Sequence, residues 1–470
     1  MKKYIALLLL PLILHGEGIN DLSGTINYYY ISRVSDGSII NLPYRIADIK
    51  WQREDDVFSI YSHLAMEYRI PSGSHFLDDT SPKDFSWDLR ELYLSWQLAN
   101  GEIRLGKQIH SWGSVDSNSP VDNLNAYDYY YLFESSTDQK IGSFSIAADY
   151  YWEDWKFGFS LSPIHHTNRL PINDPEFPVD LPASPKAAQV IEVNKPLELG
   201  AYMTKSFNKG DVTLSYFDGY DRVFSLAALN IWNNVGSSAS PKVDTVFSYR
   251  KTKVIGMGTV LFFGNLTLRS DIAYFTTKDP KIDFFELEYL GTALNETQLT
   301  VTYTNIDKDK TKILGISAEY YQANIQFEYE LPWDFQIAGQ YIKYDTLRYF
   351  DNLGRNINIQ VDDFSADFTA ADHFSPGLGT NISILTKSVL LMDLKKTLYD
   401  NKMEISIITM MDQIHSGSLI EMGMGYDLSE SLQSYLAVNK IFGDKSQDED
   451  YTFNNMEDFS HIRLELKYFY

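Results

Sequence analysis

Apolar and polar side chains alternate along much of this chain with a period of two. In the stretch 461–470, Ile462, Leu464, Leu466, Tyr468 and Tyr470 share one parity, while His461, Arg463, Glu465 and Lys467 share the other; Phe469 breaks the rule. The same rhythm sets Phe58, Ile60, Leu64, Met66 and Tyr68 against Ser59, Tyr61, His63, Glu67 and Arg69. It recurs in 265–275, where Leu266, Leu268, Ile272 and Tyr274 oppose Asn265, Thr267, Arg269 and Asp271. In 324–333, Ile325, Phe327, Tyr329, Leu331 and Trp333 oppose Asn324, Gln326, Glu328 and Glu330. Period two predicts β-strands with one apolar face and one wet face. In 84–98 the phase slips at Arg90–Glu91, as an extra residue in a bulge would make it do.

The connections decide which face looks outward. Tight links are expected at 53–56, 99–101, 152–155, 208–211, 264–265, 400–401 and 429–430. Long stretches rich in Asp, Ser and Pro fall between them, at 70–84, 111–139, 165–195, 221–241, 278–310 and 345–387. Short turns at one end and long loops at the other predict a transmembrane antiparallel β-barrel, with short periplasmic turns and long extracellular loops. Counting hairpins gives about 16–18 strands. In such a cylinder the apolar parity faces lipid and the wet parity faces the lumen. Parity then lines the lumen with Glu67, Arg69, Arg104, Asp149, Lys156, Arg269, Asp271, Glu328, Glu404, Glu421, Arg463, Glu465 and Lys467. Charges of both signs in a water-filled pore tune which ions enter, although most wall charges serve only to pair and solvate.

Composition agrees with an all-β membrane protein. The chain has 470 residues, 14% aromatic, with 33 tyrosines, no cysteine and a net charge of -23. That acidity offers no basic surface for nucleic acid. Residues 1–18 run from two lysines through an apolar stretch to Gly16 and Gly18, the order of a signal peptide. The barrel is therefore expected over 19–470, exported to the outer membrane of a diderm bacterium.

Residues 102–133 (EIRLGKQIHSWGSVDSNSPVDNLNAYDYYYLF) carry Gly106, Gln108, Trp112, Gly113, Pro120 and Asp122. This run resembles a segment of a broad Gram-negative porin-like outer-membrane family, largely classed as a domain of unknown function, with the pattern Gly-x-Gln, Trp-Gly, Asn-Pro-x-Asp. Ser119 stands where that family has Asn. The resemblance implies a large barrel with channel activity and no particular substrate. Tyr468 and Tyr470 resemble the terminal aromatic signal that the barrel-assembly machinery reads.

Two readings of 111–139 stand. Asp116, Asp122 and Asp128, interleaved with tyrosines, form a constriction loop that selects cations, or the stretch packs against the rim. His165–His166 lacks a third ligand at metal-binding spacing, so no metal is expected. The acidic run 362–373 lacks the glycine and terminal glutamate of a calcium loop and reads as a solvated surface. No catalytic or cofactor-binding motif is present. The function expected is a channel for small hydrophilic solutes, mildly cation-selective, with outer membrane and lipopolysaccharide as surroundings. The alternatives are a transporter of hydrophobic or lipid-like molecules and an adhesive barrel whose loops bind partners. Oligomeric state is left open.

Overall fold

The computed structural model describes residues 19–69, 85–133, 138–172, 174–179, 185, 189–232, 242–281, 311–352, 357–361, 364–368, 374–448 and 451–470. The expected signal peptide and the aspartates at 362 and 363 lie outside them.

Eighteen antiparallel strands close into one cylinder. In chain order they are β1 (Ile19–Arg33), β2 (Tyr44–Glu54), β3 (Phe58–Tyr68), β4 (Phe85–Leu98), β5 (Gly101–Gln108) and β6 (Ser143–Trp152). Then follow β7 (Trp155–Ser162), β8 (Glu198–Phe207), β9 (Gly210–Tyr220), β10 (Lys251–Phe263), β11 (Leu266–Lys278) and β12 (Ser317–Leu331). The last six are β13 (Phe335–Phe350), β14 (Ser388–Leu398), β15 (Met403–Asp412), β16 (Ser418–Ser429), β17 (Leu432–Phe442) and β18 (His461–Phe469). Every strand pairs with its neighbour in sequence, and β18 closes on β1 from Arg33–His461 down to Thr25–Phe469. Closure leaves no free edge, as a wall in lipid requires.

The expected tight links are all present, and an eighth lies at 332–334. There the alternation misleads. Trp333 continues the parity of β12 but is a turn residue, with φ 64°, next to Asp334 at 59°. Pro332 has no N–H to give the ladder, so the strand stops at Leu331. Two further boundaries move. Residues 345–350, expected in a loop, extend β13, and 443–460 forms a long connection with a short helical turn at Thr452–Asn455. The bulge is where the phase slip put it: His63 faces Glu91 and Leu64 faces Leu89, leaving Arg90 as the extra residue.

The outer surface confirms the direction of the pattern. Ile255, Met257, Ile272, Ile325, Met422 and Leu436 are exposed along the strands, although they are large and apolar. Trp96, Trp152, Phe207, Phe263, Tyr399 and Tyr468 are exposed near the tight-turn end, as an interfacial girdle would be. Inward positions are polar and often buried, such as Asp271, Asn324 and Gln326. A cysteine at Arg269 should therefore react with a small membrane-impermeant thiol reagent, and one at Leu268 should be about tenfold slower. Equal rates would mean that the faces are assigned wrongly.

Candidate functional site

The connection 109–142 does not stay at the rim. It leaves β5, crosses the lumen to the inner wall of β8–β13 and returns to β2–β3. Its start is built by backbone accounting. Gln108, fully buried, donates to Ser145 O (3.1 Å), and His110 N donates to Asn125 Oδ1 (2.8 Å). Trp112 packs edge-on against Tyr202 of β8, with ring centroids 4.9 Å apart. Gly113 follows with φ 107°, and a Cβ there would run into Ser119 and Asp271.

Asp271 is the main tether. Its carboxylate accepts from Ser114 N (2.9 Å), Val115 N (3.1 Å) and Ser119 Oγ (2.7 Å). Next to it on β12, Gln326 exchanges bonds with Asp116, accepting from its N–H at 3.0 Å and donating to its carboxylate at 2.5 Å. Asn324 donates to Ser117 O and Asn118 O, both at 3.1 Å. On β12 the wall thus meets the loop with uncharged amides, beside the single carboxylate of Asp271 on β11.

Ion pairs hold the returning half. Arg222, about 2% exposed, donates to Asn123 O (3.0 Å) and Leu124 O (3.2 Å) while paired with Glu198 at 2.8 Å. Arg169 bridges Glu67 (2.8 Å) and Asp128 (3.0 Å), and Tyr131 OH donates to Glu67 (2.8 Å). Removing one member of such a buried pair typically costs about 3–5 kcal/mol. Tyr127, Tyr129, Tyr130 and Tyr131 are buried among Leu170, Phe177, Ile382 and Met410, so the aromatic run is a core between loops and wall.

The three expected filter aspartates part company here. Asp116 keeps an exposed carboxylate, 56% accessible, 3.1 Å from Arg269. Asp122 is buried 2.5 Å from Lys140, and burial pushes its carboxyl above the usual range. Asp128 is buried on Arg169, its carboxyl likewise raised by burial. A carboxylate sealed against its own cation presents little field to water, so Asp122 and Asp128 order the loop and do not face the opening. The expected lumen residues also divide. Glu67, Arg69 and Asp271 point inward but are covered by loops, Arg69 lying 3.3 Å from Asp174. Arg104, with Asp149 at 3.3 Å, Glu328, with Arg269 at 3.0 Å, and Arg463, with Glu421 at 3.1 Å, stay in contact with the lumen. His165 contacts Glu198 and Arg222, and His166 Nε2 accepts from Phe144 N. Among the described residues no three potential ligands gather for a metal.

Beside the loop, whose Ser117, Asn118, Tyr130 and Tyr131 line it in part, lies a cavity of about 540 Å³. Its wall includes Arg45, Glu421, Arg463, Glu465 and Lys467, and also Leu391, Ile408, Met410 and Leu419. That aliphatic strip coincides with places where alternation fails, at Leu390–Leu391, Ile407–Ile408 and Met410–Met411.

One loop group titrates in an informative range. Asp221 is fully buried, accepts from Thr252 Oγ1 (2.5 Å) and is pressed against Gly377. Burial pushes its carboxyl up to about 6, against the pull of Arg250 and Thr252. A carboxyl raised on folding holds its proton better in the folded state. Loop stability is then greatest at low pH and falls by roughly 3 kcal/mol as pH rises from the ordinary carboxylate range through about 6. Once amide-exchange rates are divided by their intrinsic pH dependence, protection in 221–226 and 374–381 should be higher at pH 5 than at pH 7.5, and Asp221→Asn should remove that difference in protection. An unchanged pH dependence in that variant would rule Asp221 out as its source.

No family model and no curated protein matches the sequence. Among solved structures, the chain is similar to the outer membrane protein OpdK from Pseudomonas aeruginosa, at 8% identity and a TM-score of 0.49, covering 96% of this chain and 99% of that one. It is similar to OmpT, an outer membrane protein of Vibrio cholerae, at 9% identity and a TM-score of 0.40, covering 97% and 99%. OmpF of Salmonella typhi, in a complex with daunomycin, matches at 10% identity and a TM-score of 0.39, covering 96% and 97%.

Proposed function

We propose that this chain is an outer-membrane channel that admits small hydrophilic solutes by diffusion, with 109–142 setting its narrowest part. The observation that carries the reading is the tethering of that loop inside an eighteen-stranded cylinder beside an open cavity with charged walls. A barrel of this strand number encloses water unless its loops fill it, and here the loops fill one side. The tight turns then face the periplasm, and the acidic loops face outward among lipopolysaccharide and its divalent cations.

Selectivity should be weak. Around the cavity Arg45, Arg463 and Lys467 nearly balance Asp48, Asp138, Glu421 and Glu465. Asp116 is the exposed member of the loop aspartates and supplies what cation preference there is. Reversal potentials across planar bilayers test this. At about 0.1 M salt, Asp116→Asn should lower the cation-to-anion permeability ratio by about half, and at about 1 M the difference should vanish as screening tightens. Asp122→Asn and Asp128→Asn should disturb the conductance level by loosening the loop. A strong anion preference in the parent, or no response to Asp116→Asn, would contradict this assignment.

A further inference from the structure

The seam between β1 and β2 is interrupted. Their backbone ladder runs from Ile19–Glu54 to Ile26–Ala47 and stops, although β1 continues along β18 to Arg33. Higher up, β1 turns to its own connection, where Ile40 N donates to Ile31 O (3.0 Å) and Ser32 bridges Ile39. Between these two points lies a gap in the ladder, a window whose far edge is 41–45 and which the Tyr29 and Tyr44 rings span, stacked with centroids 5.6 Å apart. The sequence explains it. Pro43 has no N–H to offer β1, and β2 steps out of register with β3 between Arg45 and Ala47. The first missing rung is replaced by a side chain, Asn27 Nδ2 donating to Arg45 O at 3.1 Å.

Backbone outside a ladder is tolerated at membrane depth only where protein covers it or a cavity adjoins it. Here the cavity adjoins it. Four successive residues of β1, Tyr28, Tyr29, Tyr30 and Ile31, line the same space. At about 3.4 Å per residue and a tilt near 40°, Tyr28–Tyr30 stand roughly 25 Å above the turn end, at the top of the apolar band. A comparable break on β4, beyond its last pairing of Leu92 with Lys107, is closed by charged side chains on backbone carbonyls instead of by rings. Lys107 Nζ donates to Leu89 O there, and Arg90 donates to Lys140 O of the inward loop.

The wall facing the window is aliphatic. Leu391, Met410 and Leu419 oppose one another across β14–β16, with Ile408 two residues along β15 on the same face. A wall serving water and ions alone would carry polar groups. On the β2 and β18 side the cavity is charged, with Arg45 3.2 Å from Asp138 and Arg463 3.1 Å from Glu421. An apolar wall, a charged wall and a gap in the ladder closed only by side chains suit a molecule with the same division.

We propose that the window and cavity form a lateral site for a single-chain amphiphile. Its aliphatic chain lies on Leu391, Ile408, Met410 and Leu419, and its polar end stays among the ionised groups of β2 and β18. The volume falls within the ~300–1,000 Å³ of small-ligand sites. The inference rests on the barrel being in a membrane, and it adds a route for amphiphiles beside the axial one for hydrophilic solutes.

The test uses the full barrel in phosphatidylcholine vesicles, with palmitic acid carrying a terminal diazirine as the probe and mass spectrometry to map the crosslinks. Outward Ile272 and Met422, both away from the window, should be labelled in any folded barrel and serve as the control. The proposal expects crosslinks on inward Leu391, Ile408 or Met410 as well. Ile408→Glu with Met410→Glu should reduce these about tenfold, because a charge excludes the chain. Leu42→Trp and, separately, Ile31→Trp, which narrow the window, should reduce inward labelling at least about threefold with outward labelling intact. Labelling confined to outward residues would overturn the site, and inward labelling indifferent to both tryptophans would overturn the lateral route. Ion conductance, recorded in parallel, separates this outcome from failure of the channel reading. A conducting barrel without inward crosslinks loses the amphiphile site alone, and a non-conducting barrel with them loses the hydrophilic channel alone.

Discussion

Removing Tyr468–Tyr470 should abolish the folded barrel, leaving protein that runs on a gel at one position whether or not it is heated. These residues stitch both sides of the last strand. Tyr470 and Gly24 exchange backbone bonds at 3.1 and 3.2 Å, Phe469 N donates to Ser431 O at 2.8 Å, and Tyr468 lies between Ile26 and Leu432. Gly24 is needed there, because a Cβ would meet the Tyr470 ring and Asp48 O. Without the three residues, β18 loses its lower rungs to both neighbours, and the cylinder acquires unpaired edges in lipid, at several kcal/mol for each exposed group. The same aromatics are the proposed handle for the assembly machinery. Tyr470→Phe keeps the backbone rungs and an aromatic ring, so it should retain heat-modifiable migration. Normal barrel levels in the truncated protein would remove both roles.

The second large effect is expected from Asp271→Ala. That carboxylate holds Ser114, Val115 and Ser119, and charge-assisted bonds contribute about 1.5–3 kcal/mol each. Losing several kcal/mol at the main tether loosens 113–115 and Ser119 and leaves 116–118 held by Gln326, Asn324 and Arg269, while Arg222 and Arg169 still hold 123–128. Proteoliposome swelling should then admit solutes that the parent excludes, with initial rates about threefold or more higher for those near the size limit. Asp271→Asn keeps an acceptor and should fall between the two. Unchanged swelling in the alanine variant would mean that this loop does not set the bore.

Much of the fold was legible because lipid imposes a strict rule on one face of every strand. Leu268 and Arg269 differ in parity and therefore in solvent, and the slip at Arg90 could be read from the same rule. The reading failed where parity and backbone chemistry diverged, as at Trp333, where a proline ends the strand that the apolar pattern continues. Loop 109–142 was legible only as a candidate. Ser114 and its tether Asp271 are 157 residues apart, and the cations that seal Asp122 and Asp128 come from irregular segments with no period to read. Two signals could have helped. Asn324, Gln326 and Gln340 place uncharged amides on a wall elsewhere rich in charge, which fits contact with backbone in place of water. The doubled apolar positions at 390–391, 407–408 and 410–411 mark strands that are greasy on both faces, and so a wall against which inward loops pack.

The central claim is a water-filled cylinder narrowed by its own inward loop. Single-channel conductance in planar bilayers, recorded for the parent and Asp271→Ala under the same salt, tests it most directly. Both proteins should give discrete ion-conducting steps, and the variant's steps should be larger. Bilayers that stay silent with heat-modifiable, correctly inserted parent protein, or steps of equal size in the two proteins, would contradict it.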